Sequence, residues 1–515
     1  MAVLNVDFLS TGPNPWTVVA LLVAGGICIQ LAYIVIYRLY FHPLAKYPGP
    51  LLARISPIPI TISLLRGRIP FFVKDAHDKY GPVVRVSPNE LCFDNEAAWK
   101  DIYGSRPGHK NFHKDPIHVG SIQSVPGVST ITMANDADHA RQRRALSHAF
   151  STKALLEQEY IVKSYINVFS EKMKEFAKNG TPVNVTDWFA FTTFDIIGDM
   201  ALGEPFGCLT NENFRFWVPL ISDSIKAGAI EQATRRMAET DSAMQKFLLK
   251  CIPESIRGTR RNHLDYSKEK ILKRMQQTNN EHKDFLYYLM KQQDKDQLNL
   301  DEVIVNGALF IIAGTETTAG FLTGLFNQLL RQNNRHILDK LIKEIRSNFQ
   351  SDADLCFEEL VKLPYLTAVI EEGLRIFPSA PIGFVRTVPQ GGDIVDGHFV
   401  PGGTTVSVCM WAASHSERNF EDPYVFRPER WLDKENSKDK LTASNPFSLG
   451  PRGCIGRNLS YMEMRLIIGK LLWHNDIEMH GDNKIWDPKN DHENMVVYNN
   501  WIKPPLWVKL SPRKM

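Results

Sequence analysis

With 515 residues, 43% of them hydrophobic, the chain is long enough for one large domain or several ordinary ones, and a mean hydropathy of -0.22 excludes a polytopic membrane protein. A net charge of +3 creates no strong field, so nucleic acid is not an expected partner. The seven cysteines are scattered, with no CxxC pair for zinc or disulfide exchange, which suits a reducing compartment.

Residues 1–15 are polar and read as a short luminal segment. From Trp16 to Tyr37 there are 22 residues without a charge; as a helix they span roughly 33 Å, against about 30 Å of bilayer hydrocarbon. Residues 16–37 are therefore expected to be a transmembrane signal-anchor. Arg38, Lys46 and Arg54 follow it with no acid between them, while Asp7 precedes it, so the positive-inside rule puts the remainder in the cytosol. Residues 38–54 carry prolines at 43, 48 and 50, and read as a stiff linker that holds the globular part at a fixed attitude to the membrane. Residues 55–515 are then left to form the globular domain.

Val83–Val86, a Pro88-Asn89 turn and Glu90–Phe93 predict a β-hairpin, and a similar strand pattern returns at Thr404–Val408. Helical periodicity dominates elsewhere, over 136–149, 153–178, 186–202, 240–252, 284–292, 299–331, 335–348 and 364–377. The predicted fold class is mainly α with a small β-sheet, in one domain behind the anchor.

Several segments carry chemistry. In Asp138-His139-Ala-Arg141-Gln-Arg143-Arg144, His139 and Arg143 are four apart and share a helix face. The long segment opening at Asn299 and Glu302 has a capping signature. Within it sits Ala313-Gly314-Thr315-Glu316-Thr317-Thr318. Gly314 costs about 1 kcal/mol relative to alanine, and with a threonine nearby it is expected to open the helix locally. Glu316, an acid among apolar neighbours, needs a partner or a task. Glu372 and Arg375 are three apart on an apolar helix ending before Pro378, and Phe426-Arg427-Pro428-Glu429-Arg430 offers Arg430 as a third member. Finally, Phe447-Ser-Leu-Gly-Pro-Arg452-Gly-Cys454-Ile-Gly456 places one cysteine in a glycine-rich turn ahead of a helical run. Backbone N–H groups there favour a thiolate, the axial ligand expected for a haem iron that cleaves O–O bonds.

This last motif, F-x-x-G-x-R-x-C-x-G, resembles the haem-binding loop of the cytochrome P450 family. The A-G-T-E-T-T segment is similar to that family's oxygen-activation segment, Glu372-x-x-Arg375 with Pro428-Glu-Arg430 to its bracing triad, and the prolines at 43–50 to its hinge. All occur in the family's order, along the chain from the anchor to the end. The resemblance implies a cytochrome P450 fold holding haem (iron protoporphyrin IX), with Cys454 as metal ligand and Phe447 and Gly456 shaping the cofactor loop. It implies that His139, Arg143, Arg386 and Arg452 meet the propionates, although the family usually has tryptophan at the position of His139. It implies that Thr317 stabilises iron-bound peroxide, that Glu316 relays protons to it, and that the Glu372–Arg375–Arg430 triad is structural.

No flavin or nicotinamide motif is present, so the electrons are expected from NADPH–cytochrome P450 reductase at the endoplasmic reticulum membrane, with Lys434, Lys438, Lys440 and Arg457 as candidate docking cations. Tyr37-Arg-Leu-Tyr-Phe-His-Pro-Leu44 and Ala145-Leu-Ser-His-Ala-Phe150 look like fungal cytochromes P450 of secondary metabolism, similar to isotrichodermin 15-hydroxylase-type and polyketide-pathway enzymes. The expected activity is hydroxylation, epoxidation or desaturation of a lipophilic terpenoid, polyketide or alkaloid. Two alternatives are a reductase-independent haem-thiolate isomerase or dehydratase, and a non-catalytic membrane haem protein.

Overall fold

The computed structural model describes residues 15–118, 125, 127–239, 242–277, 282–291, 298–433, 437–481 and 495–513. The expected luminal segment, apart from residue 15, and Lys434 lie outside them. The charge-free run forms one helix, Pro15–Ile36, extended by a π-helical turn over Tyr37–Phe41. The apolar stretch Trp16–Phe41 is 26 residues long, and its most apolar part is not buried against the rest of the chain. A helix that is apolar all round and unburied is long enough, and greasy enough, to cross a bilayer.

The junction behind it is tied down by three arginines. Arg38 donates to the Ile55 carbonyl at 2.6 Å, Arg54 to Ala45 at 3.2 Å, and the fully buried Arg85 back to the Arg38 carbonyl at 2.8 Å. The proline strap lies so close to the Arg85 strand that a Cβ on Gly49 would sit 2.2 Å from the Arg85 carbonyl oxygen.

The centre of the domain is the helix Leu300–Leu329. Asn299 and Glu302 close a reciprocal capping box at its start, satisfying two otherwise orphaned N–H groups. Around it pack the helices Val185–Leu202, Glu254–Gln276, Pro364–Ile376 and Arg457–His474. Val185–Leu202 is buried at every residue but Asp187, and its buried polar residues are hydrogen-bonded, Thr192 and Thr193 to carbonyls one turn back and Asp195 to the N–H groups of Gly207, Cys208 and Leu209. The helix Leu300–Leu329 runs unbroken through Gly314, so the local opening expected there is not seen. The glycine has a packing reason instead: a Cβ at Gly314 would lie 2.6 Å from Ile197 Cγ1 on the neighbouring helix.

The predicted hairpin is present as antiparallel strands Val83–Ser87 and Glu90–Phe93. The strand Thr405–Val408 joins it in parallel, and Arg386–Thr387 and His113–Lys114 complete a five-stranded sheet. Strands Asn475–Met479, Trp507–Pro512 and Val183–Asn184 form a second, antiparallel sheet. Apart from the anchor, the two longest helices outside the periodicity reading show why they escaped it. Trp217–Met237 distributes its apolar residues around the axis, and Glu254–Gln276 is polar along most of its length. Neither presents the single apolar stripe that makes a helix legible.

Candidate active site

The loop before the helix Arg457–His474 is set by its glycines. Gly450 adopts φ +69°, where a Cβ would also collide with the Tyr103 carbonyl oxygen at 2.0 Å. The Cys454 N–H donates to the Phe447 carbonyl at 2.8 Å and that of Gly453 to Gly450 at 3.0 Å, closing the turn. Phe447 packs on Tyr461 of the following helix, with ring centroids 5.2 Å apart. Gly456 stands at the N-cap of that helix, and a Cβ there would be 4.0 Å from the Cys454 sulfur. The sulfur therefore lies at the helix N-terminus.

By surface area Cys454 is exposed, although protein surrounds it; it lines two neighbouring cavities that share Ala313, Thr317 and Arg452 as well, with about 840 Å³ and about 1890 Å³ of empty space, open solvent included. Burial pushes its thiol up; the N–H groups of Gly456 and Arg457 and the cations Arg143 and Arg457 pull it down without cancelling that effect. A bound cation would complete the deprotonation.

Thr317 of the long helix lines both cavities with Cys454, as does Ala313 one turn earlier. The Thr317 hydroxyl donates to the Ala313 carbonyl at 2.7 Å. Glu316 points elsewhere: it is buried, pairs with the buried Lys503, and lines neither cavity.

One side of the cavities is a basic collar. His139, Arg143 and Arg452 line the smaller cavity, Arg386 and Arg452 the larger, and Lys114 both. Arg143 donates to the Gly453 carbonyl at 2.7 Å, and Arg452 to Ala134 and to Asp136, each at 2.8 Å. The Nη1 of Arg452 is buried and has no hydrogen-bond partner among the described residues. These cations crowd one another. Burial, then Arg386 and Arg452, holds Lys114 well below the usual ammonium range. Burial, Arg452, Arg143 and Lys114 bring His139 to about 4, and burial above all brings Arg386 to about 10.

A cavity that gathers this many donors, one of them orphaned, is short of anions. The lining fits a cofactor of the haem kind, offering one sulfur to a metal and several cations to two carboxylates.

The triad comes together away from the cavities. Glu372 takes Arg375 Nε and Nη2 at 2.8 Å each and Arg430 Nε at 3.2 Å. It also accepts from the Arg427 N–H at 2.9 Å and from Trp431 Nε1 at 3.0 Å. Arg430 holds Asp439 at 2.6 Å. Trp431 and Asp439 were not anticipated; Asp439, nine residues beyond Arg430, belongs to no local pattern.

Three further residues at the cavities were also missed. Lys114 sits on a two-residue strand with no sequence signal. His118 follows it in a loop. Glu463, on the helix after Cys454, lines the smaller cavity, and burial pushes its carboxyl up to about 8. Thr318 faces Glu463 without closing a hydrogen bond to it. An acid within the apolar run after Cys454 was the available signal.

Known proteins match this sequence along most of its length. The family model described as Cytochrome P450 covers residues 53–502. Cytochrome P450 monooxygenase aba2 of Botryotinia fuckeliana is 43% identical over 504 residues, 96% of this chain and 94% of that protein. Cytochrome P450 monooxygenase ABA2 of Pyricularia oryzae is 42% identical over 92% of each chain. Cytochrome P450 monooxygenase astJ of Aspergillus oryzae is 41% identical over 93% of this chain and 94% of its own. With a family match over most of its length and relatives that share two residues in five with it, the chain belongs to the cytochrome P450 family of monooxygenases.

Proposed function

We propose that the protein is a membrane-anchored haem-thiolate monooxygenase that inserts one oxygen atom from O2 into a lipophilic small molecule, by hydroxylation, epoxidation or desaturation, as a tailoring step of fungal secondary metabolism. The observation that carries the reading is one cavity system lined at once by Cys454, by Thr317 and by the basic collar. Bound there, haem supplies dioxygen activation and the oxidising power needed for an unactivated C–H bond.

The chain's own residues do the rest. Cys454 holds the metal through its sulfur, from the N-terminus of the helix Arg457–His474. Arg143, Arg386, Arg452 and His139 orient the cofactor through its carboxylates. Phe447 and Gly456 fix the loop, and the Glu372–Arg375–Arg430 network braces the segment leading into it. Thr317 offers a hydroxyl that can turn from the Ala313 carbonyl toward the cavity and hold a proton there. Glu316, tied to Lys503, serves as a proton source only after that pair loosens, so the relay role inferred for it requires a side-chain movement. The apolar lining excludes water. Residues 16–37 anchor the domain, 38–54 form the strut, and 55–515 face the cytosol at the endoplasmic reticulum membrane, where NADPH–cytochrome P450 reductase supplies electrons.

The test is reconstitution of the full chain with reductase in vesicles, measuring substrate-dependent NADPH and oxygen consumption and an oxygenated product. Thr317→Ala should keep the haem spectrum and divert reducing equivalents to hydrogen peroxide. Full-rate turnover without NADPH would instead identify an isomerase or dehydratase, and unchanged coupling in Thr317→Ala would remove that residue from the mechanism.

A further inference from the structure

A β-hairpin near the C-terminus brings two unused polar groups to the larger cavity. Its strands Val496–Tyr498 and Asn500–Ile502 pair antiparallel with Tyr498 opposite Asn500, so Asn499 alone makes the turn, at φ +87°. That is the left-handed half of backbone space, which a residue with a side chain enters at a cost, and such costs persist mostly at binding and active sites. The hairpin is firmly tied. Trp501 Nε1 donates to the Pro378 carbonyl at 2.8 Å and its ring stacks on Phe377, while the Val497 N–H donates to the Gly67 carbonyl at 2.9 Å and Arg68 to that of Met495 at 2.8 Å. Its apex, Asn499 with Asn500, lines the larger cavity.

Both carboxamides are half-buried, and neither bonds to any described residue. Other polar groups at the cavity are already taken. The Ser379 hydroxyl donates to the Thr317 carbonyl at 2.7 Å and that of Ser224 to Leu220 at 3.0 Å, Thr130 and Thr132 share a hydrogen bond at 3.0 Å, and His263 Nε2 donates to the Ala308 carbonyl at 3.0 Å. The cations Lys114, Arg386 and Arg452 belong to the collar, where with burial they hold His118 neutral. The apex therefore offers amide N–H donors and carbonyl acceptors without charge. To the same cavity the long helix presents Val305, Ala308, Leu309, Ile312 and Ala313, at the spacing of a single face. While solvent fills the cavity it satisfies the two amides. A hydrocarbon seated there would strip them and leave them unpaired, whereas a ligand oxygen takes the place of water.

Resting on the monooxygenase reading and deepening it, we propose that Asn499 and Asn500 are specificity-determining residues that hold a neutral oxygen of the substrate, a hydroxyl or a ketone or lactone carbonyl. The substrate class is then an already oxygenated lipophile rather than a hydrocarbon, and the enzyme acts after oxygen has entered the skeleton. Glycine would meet the backbone demand of the turn without the cost, so the turn alone does not call for asparagine. Site amides left unpaired by the wrong ligand discriminate more sharply than an apolar wall does.

The experiment uses the full-length holoenzyme in nanodiscs, without reductase. Headspace partition, with empty discs subtracted, measures the affinity for menthol, menthone and p-menthane, three molecules of one carbon skeleton. The quantity read is the affinity for menthol or menthone relative to p-menthane, parent against variant, in which the cost of leaving water cancels. Asn499→Gly combined with Asn500→Val should lower that ratio at least tenfold, about 1.4 kcal/mol, at the haem content of the parent. Asn500→Thr should keep more of the preference than Asn500→Val, which has the same shape and no hydroxyl; this pair carries the test if the double variant loses haem. An unchanged ratio in the double variant, equal loss in Asn500→Thr and Asn500→Val, or no binding of menthol and menthone to the parent would overturn the proposal. Because no turnover is involved, failure here leaves the monooxygenase reading standing. A protein that keeps the preference yet never consumes NADPH with reductase would refute that reading and leave the subsite.

Discussion

Replacing Glu372 by glutamine tests the brace ahead of the cysteine loop. The side chain keeps its shape and loses its charge. Glu372 is the only anion on Arg375 among the described contacts, and both are fully buried. Arg375 keeps carbonyl acceptors at Ser414 and Pro423, 2.8 Å each. Arg430 keeps Asp439 at 2.6 Å and the Asp422 carbonyl at 2.9 Å. The loss is therefore concentrated on one uncompensated guanidinium, for which breaking a buried pair costs about 3–5 kcal/mol. In addition, the glutamine NH2 would face the donors that the carboxylate now accepts from. A domain of ordinary stability, about 5–15 kcal/mol, survives such a loss only narrowly. Urea unfolding followed by tryptophan fluorescence, with haem content measured on the same samples, reads both consequences. Destabilisation below about 1 kcal/mol with normal haem content would show that the network does not brace the site.

Other expectations follow from single residues. The Glu463 carboxyl, which burial pushes from 4.5 up to about 8, binds a proton in the folded chain that the unfolded chain has released. Its contribution is thus fully present below pH about 4.5 and is lost as pH rises through about 8. Glu463→Gln should gain thermal stability over the parent as pH climbs through that window; a constant difference in Tm would contradict the assignment. Gly324→Ala puts a Cβ 2.1 Å from the Phe377 ring, which stacks on Trp501 at 4.8 Å. It should cost about 1–3 kcal/mol and alter the near-UV dichroism of the tryptophans, whereas unchanged spectra would mean that the ring has room to move.

What the sequence disclosed was what is local in it. The cysteine loop, the Glu372–Arg375 pair at i, i+3 and the hairpin around Pro88-Asn89 all rest on neighbours within a few residues. The anchor is a composition signal of the same kind. The partner of Glu316 was hidden because Lys503 is remote in the chain and belongs to no pattern. His118 and Lys114 were hidden because their meaning lies in the cations folding brings around them. Gly314 was read as a helix opening when Ile197, on another helix, is what it accommodates. Its conformational cost was visible in sequence, and the packing that justifies it was not.

The central claim is that Cys454 ligates haem iron as a thiolate. The most direct measurement is the difference spectrum of the reduced, carbon monoxide-treated protein, for the full chain and for Cys454→Ala at equal protein concentration. The parent protein should give the band characteristic of thiolate-ligated haem, and the variant should lose it. The same band in Cys454→Ala, or its absence from a haem-replete parent protein, would contradict the account.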